Sequence, residues 1–155
     1  MAQPVYFRHR QALALAGLLL VQAAAAAAAS ACGEGEVRRI FGRVAELMYI
    51  EVRADRPCPQ IIPRHEMDPE RFAALIGLDT GGRVFSAYIP SANLIVVEPG
   101  RPDLLAHELT HYFQVVYWGM TENDSRDTLE RQATAVEQHF RDEERMRDGP
   151  RDFAR

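Results

Sequence analysis

Lysine is missing from this 155-residue chain altogether, so all 18 of its basic side chains are arginine. Such one-sided usage reads as compositional bias rather than as a functional patch. Nor is there an excess of positive charge. The formal balance is −4 at pH 7, which removes the usual grounds for expecting nucleic acid or an anionic membrane surface as a partner. Cysteine is scarce, with two residues, and no internal repeat is visible. The length leaves room for one domain, not two, and the 47% hydrophobic content is enough for one real core.

Long apolar runs are also few. The one present covers 12–29, is broken only by Gly17 and Gln22, and follows the basic Arg8, His9 and Arg10. It closes with Ala29-Ser30-Ala31, so 1–31 has the layout of a secretory signal peptide. The run is barely long enough to span a bilayer and is rich in weakly hydrophobic alanine, which favours cleavage over a retained anchor. Ser30-Ala31-Cys32 also resembles the end of a lipobox, although Ala29 stands where leucine is usual. The expected location is periplasmic or secreted, with membrane contact only through the signal or a lipid on Cys32. In an oxidising compartment Cys32 and Cys58 can pair. Such a bridge would tie the mature N-terminus to Pro57-Cys58-Pro59 and contribute roughly 3 kcal/mol in the chain-entropy model. Lipidation of Cys32 would instead leave Cys58 alone.

The mature region, 32–147, mixes helical and strand periodicities. Val37, Ile40, Phe41, Val44, Leu47 and Met48 recur at three- and four-residue steps, one apolar helix face. Residues 49–53 alternate and suggest a short strand, and the proline-rich 56–63 a loop or extended edge. Asp68-Pro69 reads as an N-cap and first helical residue for a brief helix ended by Gly77. Gly81-Gly82 then forms a turn. Strands are expected at 84–89 and 94–97, joined by a hairpin-sized turn at 90–93. Pro102 opens a helix reaching about Trp118, with Gly119 as its stop. After a polar loop at 121–127, a last helix spans about 128–146, with Leu129, Ala133, Val136 and Phe140 as its buried stripe. The charged tail, 148–155, is expected to be disordered.

Chemistry concentrates in His107-Glu108-Leu109-Thr110-His111, an H-E-x-x-H pattern. Positions four apart on a helix share a face, so both imidazoles can reach one metal ion. A catalytic zinc takes three protein ligands and keeps a fourth position for water. Glu108, at the edge of that face, can take a proton from water activated by the ion. Three fixed positions arise by chance in on the order of one chain in a few hundred, so the surroundings must decide. The plain alternative is a surface helix that happens to carry two histidines. Helix signals at both ends and the apolar Leu105, Leu109 and Phe113 weigh against it.

The downstream residues separate the zinc peptidase groups. A metzincin needs glycine and histidine where this chain has Gln114 and Tyr117, and Asp124 and Asp127 lack the context of an aspzincin ligand. The strand 85–89, the turn, the strand 94–97, the helix bearing His107 to His111 and the helix bearing Glu130 together resemble the catalytic half-domain of gluzincin metallopeptidases. The resemblance spans 84–140 and rests mainly on the metal motif. It implies Glu130 as third ligand, with Ala133 one turn on permitting close helix approach. Glu137 is a rival on nearly the same face, its alternative role being a solvated or salt-bridged carboxylate. It further implies that 84–89 is an open sheet edge to which a peptide adds by main-chain hydrogen bonds, with Ser86 to Tyr88 lining the cleft.

Two departures are plain. Where many gluzincins place an aspartate to hold a metal histidine, this chain has Thr134, so such support is weaker or comes from elsewhere. The chain is short after the last ligand, so the C-terminal lobe that often supplies a carbonyl-polarising side chain is not expected within it. Tyr112, Tyr117, His139 and His65 could replace it, although each suits an ordinary core or surface role.

The expected fold is therefore a single α+β, zincin-like domain with a short mixed sheet, an H-E-x-x-H helix beneath it and a closing helix that donates Glu130. The expected function is exported, zinc-dependent hydrolysis of peptide bonds in a peptide or protein substrate, with Glu108 as general base. The alternative is an exported zinc-binding or protein-interaction module without turnover.

Overall fold

A computed structural model describes residues 32–77, 84–121, 124–147 and 149. The expected signal-peptide run, the expected Gly81-Gly82 turn and, apart from Gly149, the charged tail lie outside the described residues. The elements are α1 (Gly35–Leu47), β1 (Gln60–Pro63), α2 (Pro69–Ile76), β2 (Ala87–Ile89), β3 (Leu94–Val97), α3 (Pro102–Val116) and α4 (Arg126–Arg147). Among the described residues this is an α+β arrangement of four helices and a small mixed sheet.

The sheet has the order β1-β3-β2. β1 runs parallel to β3 with Ile61 opposite Ile95, and β2 runs antiparallel to it with Tyr88 also opposite Ile95. The central position of β3 accounts for its unbroken apolar sequence. All four of its residues are buried, Ile95 and Val97 in one cluster, Leu94 and Val96 in another. Alternate side chains of a strand face opposite ways, so a strand covered on both faces needs apolar residues at every position. The larger cluster joins Ile40, Phe41 and Val44 of α1 to Leu109, Tyr112 and Phe113 of α3, with Phe140 from α4. The smaller one gathers Met67 and Phe72 on the other face.

Helix punctuation follows local chemistry. Asp68 accepts a hydrogen bond from the Arg71 amide at 2.8 Å, and Pro69 holds the first helical position. Gly77 ends α2 in the left-handed conformation, φ 65°. The expected strand at 49–53 does not form. α1 ends instead in paired bonds, Tyr49 N–H to Glu46 and Ile50 N–H to Ala45, with Tyr49 at φ 55°. That is a Schellman ending, which turns the chain away from any strand path. The strand expected over 84–89 is also shorter, since only Ala87–Ile89 joins the ladder.

A disulfide joins Cys32 to Cys58. It anchors the start of the described chain beside the sheet. The loop it reaches is held twice more, by Asn93 Nδ2 donating to the Cys58 carbonyl (2.9 Å) and by the Tyr112 hydroxyl donating to the Pro57 carbonyl (2.8 Å). Among the described residues, no helix is long and apolar enough to cross a membrane.

Candidate metal centre

α3 is the most enclosed helix. Leu105, Ala106, Leu109, Thr110, Tyr112, Phe113 and Gln114 are all buried, as are the acidic Asp103 and Glu108. A helix covered nearly all round belongs to the core, and this one packs against β2, β3, α1 and, most extensively, α4. His107 and His111 are among its half-buried positions and face α4.

The two imidazoles approach through Nε2, 3.1 Å apart. Glu130 Oε2 lies 3.5 Å from Nε2 of His107 and 3.7 Å from that of His111. Among the described residues these three side chains form the one group of potential ligands whose atoms all lie within 4.8 Å of each other. Ala133, one turn beyond Glu130, is fully buried, as a close approach of α4 requires.

The opposite ring nitrogens fix how these imidazoles are protonated. His107 Nδ1 is 3.0 Å from Glu137 Oε2. An ionised carboxylate can only accept, so Nδ1 is the donor and a neutral ring keeps its lone pair on Nε2. His111 Nδ1 is 2.9 Å from Oε1 of Gln114. The amide orientation of Gln114 is set by its Nε2, which donates to the Leu129 carbonyl at 3.1 Å and to Gln132 Oε1 at 3.0 Å. His111 Nδ1 therefore donates too. Two bare lone pairs at 3.1 Å repel unless something positive lies between them.

Glu137, expected as a solvated or salt-bridged carboxylate, is thus only partly that. It does pair with Arg141, but its second oxygen holds a ring nitrogen of His107. Thr134, at the position expected to hold the histidine, is exposed. The difference is one of helical phase: seven residues from Glu130 return to the same face, with a longer reach along α4. In the sequence, the partnership of Gln114 with His111 is signalled only by their i+3 spacing.

Glu108 is engaged elsewhere. It is 5% exposed, its Oε1 accepts from the Ser86 hydroxyl and its Oε2 from the Tyr88 main-chain N–H, both at 2.7 Å. Ser86, just outside the ladder, is thus tied to the helix beneath, while Tyr88 keeps its place opposite Ile95 and donates its N–H to the same carboxylate. It also means that one donor on the β2 side of the sheet is already taken.

The remaining candidates are dispersed. Tyr112 is fully buried, and that burial, with the neighbouring Tyr117, pushes its hydroxyl well above the usual phenol range. The Tyr117 hydroxyl accepts from the Arg53 amide at 3.3 Å. His139 pairs with Glu143 at 3.0 Å, and His65 lies exposed beside Glu66. None of them belongs to the His107–His111–Glu130 group.

No protein-family model, curated protein or solved structure matches this chain. The centre therefore stands on its own geometry.

Proposed function

We propose that this chain is an exported zinc-dependent peptidase with a zincin-like fold of the gluzincin type, in which His107, His111 and Glu130 hold the ion and Glu108 is the general base. The donor triangle carries this reading. Ligands 2.0–2.1 Å from a tetrahedral zinc stand about 3.3–3.4 Å from one another. The observed separations are 3.1, 3.5 and 3.7 Å. A proton could bridge the two nitrogens, whereas a metal ion would engage all three atoms at once. Two imidazoles and one carboxylate form a recognised catalytic donor set, whereas closed structural sites use four ligands.

When bound, zinc supplies Lewis-acid polarisation of a carbonyl and lowers the pKa of water. The protein's own side chains do the rest. Glu137 and Gln114 aim the two Nε2 lone pairs. Glu130, about half exposed, keeps the centre open to solvent and substrate. Glu108 offers a carboxylate one residue from His107, and each of its oxygens retains a lone pair beyond the bond it already accepts. A peptide adding alongside β2 would compete with Glu108 for the Tyr88 N–H, so substrate binding and freeing of the base are coupled. Export is supported by the Cys32–Cys58 disulfide, since such bonds persist in oxidising compartments.

One observation favours a second reading. Both oxygens of Glu108 are already engaged, one by β2 and one by Ser86 just before it, so the residue can serve as a strut in a zinc-holding interaction module without turnover. Zinc stoichiometry, followed by cleavage of a broad peptide library, separates the two. A peptidase binds one equivalent and cleaves, and Glu108→Gln keeps the zinc while losing about 100-fold or more of the activity. Undiminished cleavage by Glu108→Gln would sink the assignment of the base. Zinc binding with no cleavage by the wild type hands the site to the module.

A further inference from the structure

Beyond the proposed ligands, the observation that reaches furthest is a line of alternating charges running away from His107. Glu137 Oε2 meets His107 Nδ1 at 3.0 Å, and Glu137 Oε1 accepts from Arg141 Nη2. The same Nη2 lies 3.1 Å from Asp103 Oδ2, which Arg141 Nε also reaches at 3.3 Å. Asp103 in turn takes a two-pronged contact from Arg101, both bonds at 2.9 Å. The line thus runs Arg101, Asp103, Arg141, Glu137, His107, crossing from the first turn of α3 to α4 and back.

We infer that Arg141 is a positioning residue for the metal centre, acting on His107 through Glu137. An i,i+4 pair on an exposed helix is worth a few tenths of a kcal/mol and positions little. Here the Glu137 and Asp103 side chains are only 16% and 13% exposed, and one guanidinium is shared between carboxylates from two helices. The planar fork of arginine allows that sharing, because its N–H groups point in fixed directions. Asp103 pins the guanidinium, and the guanidinium pins Glu137 in the rotamer that meets His107. Without Arg141, Glu137 is free to turn to solvent and the His107 ring loses the bond that fixes its orientation.

The inference rests on the proposed zinc site, and its test reads metal affinity rather than catalysis. Zinc dissociation constants are measured by competition with a chromophoric chelator on the disulfide-intact protein for wild type, Arg141→Met, Arg141→Lys, Glu137→Gln and the Arg141→Met/Glu137→Gln double variant. Loss of an outer partner of a metal histidine typically weakens binding 10-fold to 100-fold. Arg141→Met is expected to weaken zinc by about 10-fold, with partial recovery in Arg141→Lys, which keeps the charge but not the fork. The double variant should bind no more weakly than Glu137→Gln alone, because Arg141 acts only through Glu137. A simple helix staple would lower stability without moving zinc affinity, or would give effects that multiply, and either outcome overturns the role. A wild type that takes up no zinc overturns the metal site itself along with it. Tight wild-type binding left unchanged by Arg141→Met overturns the positioning role alone.

Discussion

At the scale of single residues, the bracing contacts of Glu108 and its proposed role as base have separable consequences. Its carboxylate accepts from Ser86 and from the Tyr88 N–H, and those donors lose their acceptor if the side chain is cut back. Glu108→Ala should therefore lower the unfolding free energy of the zinc-free protein by about 1–3 kcal/mol, measured by urea denaturation. Glu108→Gln keeps one acceptor for Tyr88 and adds a donor that can turn to the Ser86 oxygen, so its stability should stay within about 1 kcal/mol of wild type. Asp103 offers a second test. Burial works to raise its pKa, but the hydrogen bonds and charge of Arg101, with Arg141, outweigh it and hold the carboxyl at about 2, below its ordinary 3.8. A depressed folded-state pKa means stability fully present above about pH 4 and lost as pH falls toward 2. Asp103→Asn should remove about 1–2 kcal/mol of that acid-limb dependence, allowing for solvent screening, as read from denaturation midpoints across the range.

At the scale of elements, the end of α1 departs from the usual rule. The left-handed position of its Schellman ending holds Tyr49, at φ 55°, where glycine is the common choice. The side chain is 97% exposed and contributes no burial in return. Tyr49→Gly should therefore stabilise the protein by about 0.5–1 kcal/mol, the relief of left-handed strain less the added freedom of glycine when unfolded. Tyr49→Ala keeps a Cβ and should leave the urea midpoint nearly unchanged, which makes it the control. The same element shows why 49–53 misled: its alternation was real, but a strand needs a ladder partner, and the Schellman bonds turn the chain before it could find one.

At the scale of the whole molecule, the histidine-bearing side of α3 is held in place by elements far apart in sequence. The Cys32–Cys58 bond spans 26 residues and fastens the entry to α1 beside the β1–β3 pair. Replacing both cysteines by serine should cost roughly 3 kcal/mol, seen as a lower midpoint in urea, while the α+β content measured by circular dichroism persists under native conditions. Persistence is expected because Cys32, with Cys58 packed against it, is one member of a core whose other residues join α1, α3, α4 and β3 directly.

Much of this was legible in the chain itself. Period and punctuation determined α1, α2, β3, α3 and α4 to within a few residues, because helix faces and caps are local properties. The H-E-x-x-H spacing likewise put both imidazoles on one face without reference to the rest of the fold. Only the tertiary structure decided that β1 pairs in parallel with β3, that Glu108 braces β2, and that Glu130 and Glu137 meet opposite nitrogens of His107. Those choices depend on how far apart and at what phase α3 and α4 sit. Two carboxylates seven residues apart look alike along a helix, and only the neighbouring helix tells them apart.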